Sequence, residues 1–262
     1  MQTMRTSIKR ILNKSYAIIG IILLLGVWQL VCSLELVPGF MLPSPISVAK
    51  ALGEDFSLLM QHTKTTLLEA LLGLTIGVAI GFLLAIMMDS FKLLKKITYP
   101  LLIISQTIPT VAIAPLLVLW FGYEMLPKVV LIVLTTFFPI AIGLYEGFSS
   151  CDSDCINLLR SMGASKLQIF GYVKIPGAVT PFFSALKISA SYSIVGAVIS
   201  EWLGGFEGLG VYMTRVKKAY QYDKMFAVII LISILSLILM GIISFAHKKL
   251  TPWEQITKKG ED

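Results

Sequence analysis

Four ionisable side chains, Glu69, Glu146, Lys187 and Glu201, stand within or beside long apolar stretches of this sequence. A charge inside a lipid bilayer is costly, so such groups face a cavity or a bundle interior, and a series of them can relay protons. The segment around Lys187 is polar throughout, with Ser184, Ser189, Ser191, Tyr192, Ser193 and Ser200. At helical spacing Lys187, Ser191 and Tyr192 share one face, while Ser193, Ser200 and Glu201 gather near its far end. Ser105-Gln106-Thr107 lies one turn before Pro109. Polar groups beside a proline kink either line a pathway or hydrogen-bond across helices, and these residues alone leave both open. No nucleophilic or metal-binding constellation emerges. Cys32, Cys151 and Cys155 match no zinc or Cys-x-x-Cys spacing. His62 and His247 fall near opposite ends of the expected bundle, where both read as interfacial residues. The phosphate-cradling pattern G-x-x-x-x-G-K followed by Ser or Thr is missing from the sequence, so the chain cannot hydrolyse ATP itself. The expectation is therefore a chain without a catalytic residue, a metal or a cofactor of its own.

The elements that must position these groups are membrane spans. Of 262 residues, 56% are hydrophobic and only 14% charged, too little polar surface for a soluble domain of this size. Residues 16–34, 70–88, 97–123, 129–145 and 225–246 contain no Asp, Glu, Lys or Arg, and residues 177–202 are broken only by Lys187 and Glu201. A bilayer core about 30 Å thick takes about 20 apolar residues in a helix. Lipid offers the backbone no hydrogen-bond partners, which selects helices. The fold class expected is an all-α polytopic membrane protein with six transmembrane helices. Its parts are a tail and first span over 1–35, an external loop and amphipathic helix over 36–62, a five-helix core over 63–248 holding a cytoplasmic loop at 151–176, and a tail over 249–262.

Six spans put both ends on one side. The termini and the segments around Lys92, Lys95, Lys96 and Arg160, Lys166, Lys174 carry about twice the lysines and arginines of the opposite set. The positive-inside rule then places both termini in the cytoplasm. Arg5, Lys9, Arg10 and Lys14 precede an apolar run too long for a signal peptide, so it reads as a retained anchor. The formal net charge of +7 reads as topology plus attraction to anionic lipid, not nucleic acid.

Three prolines within residues 38–45 predict an extended external loop. Residues 46–61 then read as a short amphipathic helix capped by Ser44 or Ser47. Gly73, Gly77 and Gly81 recur every fourth residue, giving one flat helix face for close backbone approach. The third span, 97–123, is expected to kink at Pro100, Pro109 and Pro115. The glycine-rich run around Gly204, Gly205, Gly208 and Gly210 allows sharp turns before a basic, aromatic outer helix. Arg215, Lys217 and Lys218 in that helix lie outside under this topology, against the positive-inside trend. A basic external patch there, with Glu207 nearby, is a candidate contact for an external partner.

The cytoplasmic loop has its own grammar. Asp152, Ser153 or Asp154 can cap a helix whose apolar stripe is Cys155, Ile156, Leu159 and Met162. Gly163 stands where that helix must stop with positive φ. Ser165 with Gln168 three residues later forms a capping box for a second helix bearing Leu167, Ile169 and Phe170. Pro176 suits the first turn of the following span. Two short amphipathic helices around a glycine hinge read either as a partner-docking device or as an ordinary interfacial pair.

This stretch resembles the EAA loop of bacterial ABC-importer permeases, which has a Glu-Ala-Ala start, a glycine six residues after the Glu, and a closing Ile-x-Leu-Pro. The frame falls on Asn157-Leu158-Leu159, Gly163 and Val173-Lys174-Ile175-Pro176, with Asn157 replacing the acid. Leu42-Pro43-Ser44-Pro45, Ile108-Pro109, Trp120-Phe121-Gly122, Gly163-Ala164-Ser165, Glu201-Trp202-Leu203-Gly204 and Gly208-Leu209-Gly210 resemble the nitrate/sulfonate/taurine branch. The later part, through Tyr212-Met213 and Asp223-Lys224-Met225-Phe226-Ala227 to Pro252-Trp253-Glu254, is most similar to members linked to pyrimidine precursors of thiamine. The resemblance spans about residues 43–253.

The resemblance implies a type I importer permease with coupling helices. It pairs with a second permease copy, docks on two cytoplasmic ATPase subunits that use ATP and Mg, and receives solute from an external substrate-binding lipoprotein. The residues it implies for ATPase docking are Asn157, Leu158, Leu159, Met162, Gly163, Ala164, Ser165, Leu167, Phe170 and Pro176. Those expected on the pathway are Gln106, Thr107, Pro109, Ser189, Tyr192, Ser193 and Glu201, and those facing the binding protein are Glu207, Arg215, Lys217 and Lys218. The solute implied is a thiamine pyrimidine precursor, or a sulfonate, taurine or nitrate. An anion would favour Lys187 or helix ends near the cavity; a neutral pyrimidine would favour Tyr, Trp and Ser. The alternative is an ion-coupled secondary transporter using the four ionisable groups, though six spans are few and no inverted repeat is evident.

Overall fold

The computed structural model describes the backbone of residues 2–252, and the side chains of residue 16 and residues 19–252. Helices form throughout, and no strand occurs among the described residues. They are α1 (Gln2–Ser33), α2 (Pro45–Glu54), α3 (Phe56–Ser90), α4 (Lys92–Ser105), α5 (Thr110–Phe121), α6 (Met125–Ser149), α7 (Ser153–Ser161), α8 (Lys166–Ile169), α9 (Ile175–Leu203), α10 (Leu209–Lys218) and α11 (Tyr222–Leu250). A π-helical turn, Phe170–Lys174, joins α8 to α9.

Among the described residues α3, α6, α11 and the continuous run Lys166–Leu203 are long and apolar enough to cross a bilayer, and α4 with α5 makes a fifth span if the bent pair counts as one. The expected count of six is thus not reproduced in full. The remaining candidate is α1, whose described apolar part is the shorter Ile19–Ser33. Arg5, Lys9, Arg10 and Lys14 lie outside the described side chains, and Trp253, Glu254 and the rest of the 253–262 tail lie outside the described residues.

Two element boundaries differ from expectation. The helix expected over 46–61 is two elements: α2 starts at Pro45 under a Ser44 cap that accepts from the Ser47 amide (3.2 Å), and α3 begins at Phe56. The third span is broken, not merely kinked: α4 and α5 meet at 98°. Pro109 has no amide hydrogen and disfavours the helical region for Ile108 before it. Thr107 and Ile108 instead close tight turns on Ile104 and Ser105, and Pro109 is extended. Pro100, Pro115 and Pro139 stay inside helices.

The chain divides into two compact units, residues 1–59 with 213–230 and residues 60–212 with 231–262. In the first, the Trp28 indole N–H donates to the Pro43 carbonyl (3.1 Å), and its ring lies 6.0 Å from that of Phe226. Val48, Ala51 and Ala227 are buried together, and Lys224 pairs with Asp55 at 2.7 Å.

In the second unit α6 packs along α9. Leu144 and Phe148 are buried with Ala178 and Ala185, and the small residues are what let the axes approach. A methyl placed on Gly143 would come within 2.7 Å of the Ala185 Cβ, and one on Gly147 within 2.9 Å of Ala178. The Gly73/Gly77/Gly81 face of α3 meets Ile132, Thr136 and Ile140 of α6 in the same way; a methyl on Gly81 would fall 2.8 Å from both the Ile140 side chain and the Phe137 carbonyl.

Candidate functional site

The loop after α6 is built by local capping. The Asp152 carboxylate accepts from the Asp154 amide (2.9 Å) and sits at the positive end of α7. Gly163 adopts φ +83 past the end of α7. Its amide donates to Arg160 and that of Ala164 to Leu159, both at 3.0 Å, the paired bonds of a Schellman turn. The capping box of α8 is complete: Ser165 N–H donates to Gln168 Oε1 (2.7 Å) and Gln168 N–H to Ser165 Oγ (3.3 Å). The second helix is not a separate piece, however. It passes through the π-helical turn into α9, with Pro176 in the first turn of α9. Pro176 has no amide hydrogen and its ring crowds the carbonyl four residues back, and the wider turn relieves both.

α7 buries none of its residues. Leu158, Met162 and Leu167 are 62%, 74% and 84% exposed. Asn157, Cys155 and Pro176 are also exposed, while Ile156, Leu159 and Ala164 are half-buried. Phe170 is half-buried, its ring 5.1 Å from that of Phe148. Lys174 ties the loop to Asp89 of α3, and the Cys151 thiol draws the two ends of the loop together by reaching the Val173 carbonyl at 3.7 Å. Burial pushes the Cys151 thiol pKa up, against the pull of nearby Lys174.

A cleft of about 530 Å³ opens among α5, α6, α9 and the α4–α5 break. Of the residues expected on a pathway, Gln106, Pro109 and Tyr192 line it. Thr107 does not; its hydroxyl donates to the Ile104 carbonyl at 2.7 Å. Ser189 and Ser193 are fully buried away from the cleft, donating to the carbonyls of Thr136 (2.9 Å) and Ala190 (2.8 Å). Lys187 is half-buried and not part of the lining. Thr135, Phe138, Pro139 and Gly196 are lining residues the sequence did not single out as pathway-facing; which side of α6 and α9 faces the break carries no local signal.

Glu201, also expected on the pathway, is instead a helix cap. One carboxylate oxygen accepts from the Thr66 hydroxyl (2.7 Å) and the other from the Gly210 amide (2.6 Å). The Leu209 amide donates to Thr66 Oγ1 (2.9 Å) and the Gly208 amide to His62 Nδ1 (3.0 Å). The otherwise unpaired amides at the start of α10 are thus met by side chains from α3 and α9. Gly208, at φ +122, leaves no room for a Cβ beside the Glu201 carboxylate. His62, read as interfacial, is buried here. Lys128 and Glu69 form a buried ion pair at 2.7 Å. Glu207 is exposed and accepts from the Thr65 hydroxyl (3.3 Å); Arg215, Lys217 and Lys218 are exposed in the last turn of α10, where cations complement the helix end. No cluster of three His, Cys, Asp or Glu able to hold a metal occurs among the described residues.

Residues 77–252 match the family described as binding-protein-dependent transport system inner membrane component. A probable ABC transporter permease protein of Haemophilus influenzae is 39% identical over 87% of this chain and 92% of its own length. The formylaminopyrimidine transport permease protein ThiX of Halalkalibacterium halodurans is 34% identical over 89% of this chain and 94% of its own. Among solved structures, that of an amino acid ABC transporter with histidines superposes with a TM-score of 0.63 at 20% identity, covering 76% of this chain and 96% of that one. The chain therefore belongs to the binding-protein-dependent transport system inner membrane components: it is a multi-pass permease subunit of an ABC importer, a transport component without an ATPase site.

Proposed function

We propose that two copies of this chain form the translocation unit, docked through residues 151–176 onto two cytoplasmic ATPase subunits that hold ATP and Mg. The observation that carries this reading is the exposed apolar set Leu158, Met162 and Leu167 around Gly163. Apolar side chains grouped on a short exposed helix pair are the surface a partner groove accepts. Asn157, Leu159, Ala164, Ser165, Phe170 and Pro176 complete the docking segment, and Asn157 offers a neutral first contact where the family has an acid. Both termini and the loop then lie in the cytoplasm, with anionic lipid meeting the basic flanks.

ATP binding draws the two loops together and rocks the bundles, and hydrolysis resets them, a two-state switch driven by differential binding. Gln106, Pro109 and Tyr192 line the pathway, and Ser189, Ser193 and Glu201 brace the helices behind it. Glu207, Arg215, Lys217 and Lys218 are the candidate contacts for an external binding lipoprotein. The solute is a pyrimidine precursor of thiamine; what supports this is the similarity to a permease named for formylaminopyrimidine. Sulfonate, taurine or nitrate is the second reading, from the branch resemblance. The division into 1–35, 36–62, 63–248 and 249–262 is kept as the functional layout. An ion-coupled carrier is not favoured, because the family works with a binding protein.

The docking reading is tested with Gly163→Pro. Proline fixes φ near −65°, opposite in sign to the +83° at this position, so the Schellman turn cannot form. Co-purification of the ATPase should be lost while the chain still inserts in membranes; an unchanged ATPase yield would reject the loop as the docking element.

A further inference from the structure

The wall of the cleft beside the α4–α5 break contains no Lys, Arg, His, Asp or Glu. Two of its hydroxyls are already committed: Ser105 Oγ donates to the Leu102 carbonyl (2.7 Å) and Thr135 Oγ1 to the Ile132 carbonyl (2.8 Å). Three polar groups remain. The Gln106 carboxamide, the Thr110 hydroxyl and the Tyr192 phenol make no side-chain hydrogen bond among the described residues, and Gln106 and Tyr192 are exposed. A carboxamide presents a donor and an acceptor together, and each hydroxyl can do either. Phe138 adds an aromatic ring to the lining.

This chemistry separates the two solute classes. A sulfonate moved from water against such a wall sheds part of its hydration and meets no counter-ion in return. The amino end of α5, at Thr110, supplies about half a positive charge, which does not replace a lysine or arginine. Lys187, the one cation within α9, is not part of the lining. An uncharged planar ring with amino and ring-nitrogen groups pays far less desolvation and can use both edges of the Gln106 amide.

Resting on the proposed pathway, we infer that the permease itself selects its solute: the Gln106–Thr110–Tyr192 cleft is a binding site for an uncharged hydrogen-bonding heterocycle of the aminopyrimidine class, and it rejects sulfonates. Selectivity is then exercised in the membrane as well as in the binding protein.

The test is equilibrium binding to the full-length chain in lipid nanodiscs, using tritiated hydroxymethyl-aminopyrimidine and tritiated taurine. Saturable pyrimidine binding that excess taurine does not displace is expected. Tyr192→Phe and Gln106→Leu should each weaken it about fivefold, the loss of a neutral hydrogen bond. Gln106→Arg should reduce pyrimidine binding and admit taurine. Elution as a single species and an unchanged melting curve identify folded variants. The inference is overturned if the folded wild-type chain binds taurine as tightly as the pyrimidine, if it binds neither, or if all three variants bind like wild type. ATPase co-purification with the same preparation keeps the two readings apart: docking retained without pyrimidine binding rejects the selectivity alone, and pyrimidine binding without docking rejects the loop assignment alone.

Discussion

The Lys174 ammonium lies 2.5 and 2.7 Å from the two carboxylate oxygens of Asp89, and this two-pronged pair fastens the π-helical turn behind the loop to the last turn of α3. The side chains are 21% and 13% exposed, which places the pair between surface ion pairs worth about 1 kcal/mol and fully buried ones whose breakage costs about 3–5 kcal/mol. Its effect is geometric: a displacement of α7 reaches α3 through it as well as along the backbone into α9. Asp89→Asn or Lys174→Met should lower the melting temperature moderately and lower the solute moved per ATP several-fold. The exchanged pair, Asp89→Lys with Lys174→Asp, should recover part of the loss. Simultaneous uptake and ATPase measurements on the assembled complex in proteoliposomes read the ratio, and an unaltered ratio in the single variants would show the pair to be a bystander.

The Lys128–Glu69 pair is the more deeply buried of the two. Its side chains are 5% and 3% exposed, so removing one partner leaves the other a buried charge without its ion-pair partner. Lys128→Met or Glu69→Leu alone should destabilise the chain by about 3–5 kcal/mol, whereas the double variant should recover most of it. A double-mutant cycle on thermal unfolding in detergent gives the coupling energy directly. Additive losses would mean that the two charges are not each other's principal partner.

Residues whose roles are set by near neighbours were legible before the fold was known. Asp152, Gly163 and the Ser165–Gln168 box act within a few residues of themselves, and each sits as its type and spacing predict. Pro109 was not separable from Pro100, Pro115 and Pro139, because breaking or tolerating a helix depends on what receives the freed carbonyl. The serines of α9 illustrate a second blind spot. Ser189 and Ser193 are polar residues in an apolar span just as Tyr192 is, yet helix rotation buries the first two and opens the third. Glu201 shows a third: its partner Thr66 lies 135 residues earlier, and no local pattern announces a carboxylate from one helix capping another.

Cys151 and Cys155 offer a test of both topology and burial. They stand four residues apart, but Cys155 is exposed on α7 while Cys151 is half-buried with its thiol toward the carbonyls of Gly147 (3.5 Å) and Val173 (3.7 Å). Maleimides react with the thiolate. A raised thiol pKa leaves Cys151 with less thiolate at neutral pH, and the deficit closes as pH rises towards that pKa. In a Cys32→Ser background, a membrane-impermeant maleimide at neutral pH should therefore label Cys155 much faster than Cys151, and the gap should narrow in alkaline buffer. Labelling should occur in inside-out vesicles and not in right-side-out ones, since the loop is proposed to be cytoplasmic. Adding the ATPase should protect Cys155. Equal rates at neutral pH would contradict the burial of Cys151, and labelling from the outer face would invert the topology on which the docking proposal stands.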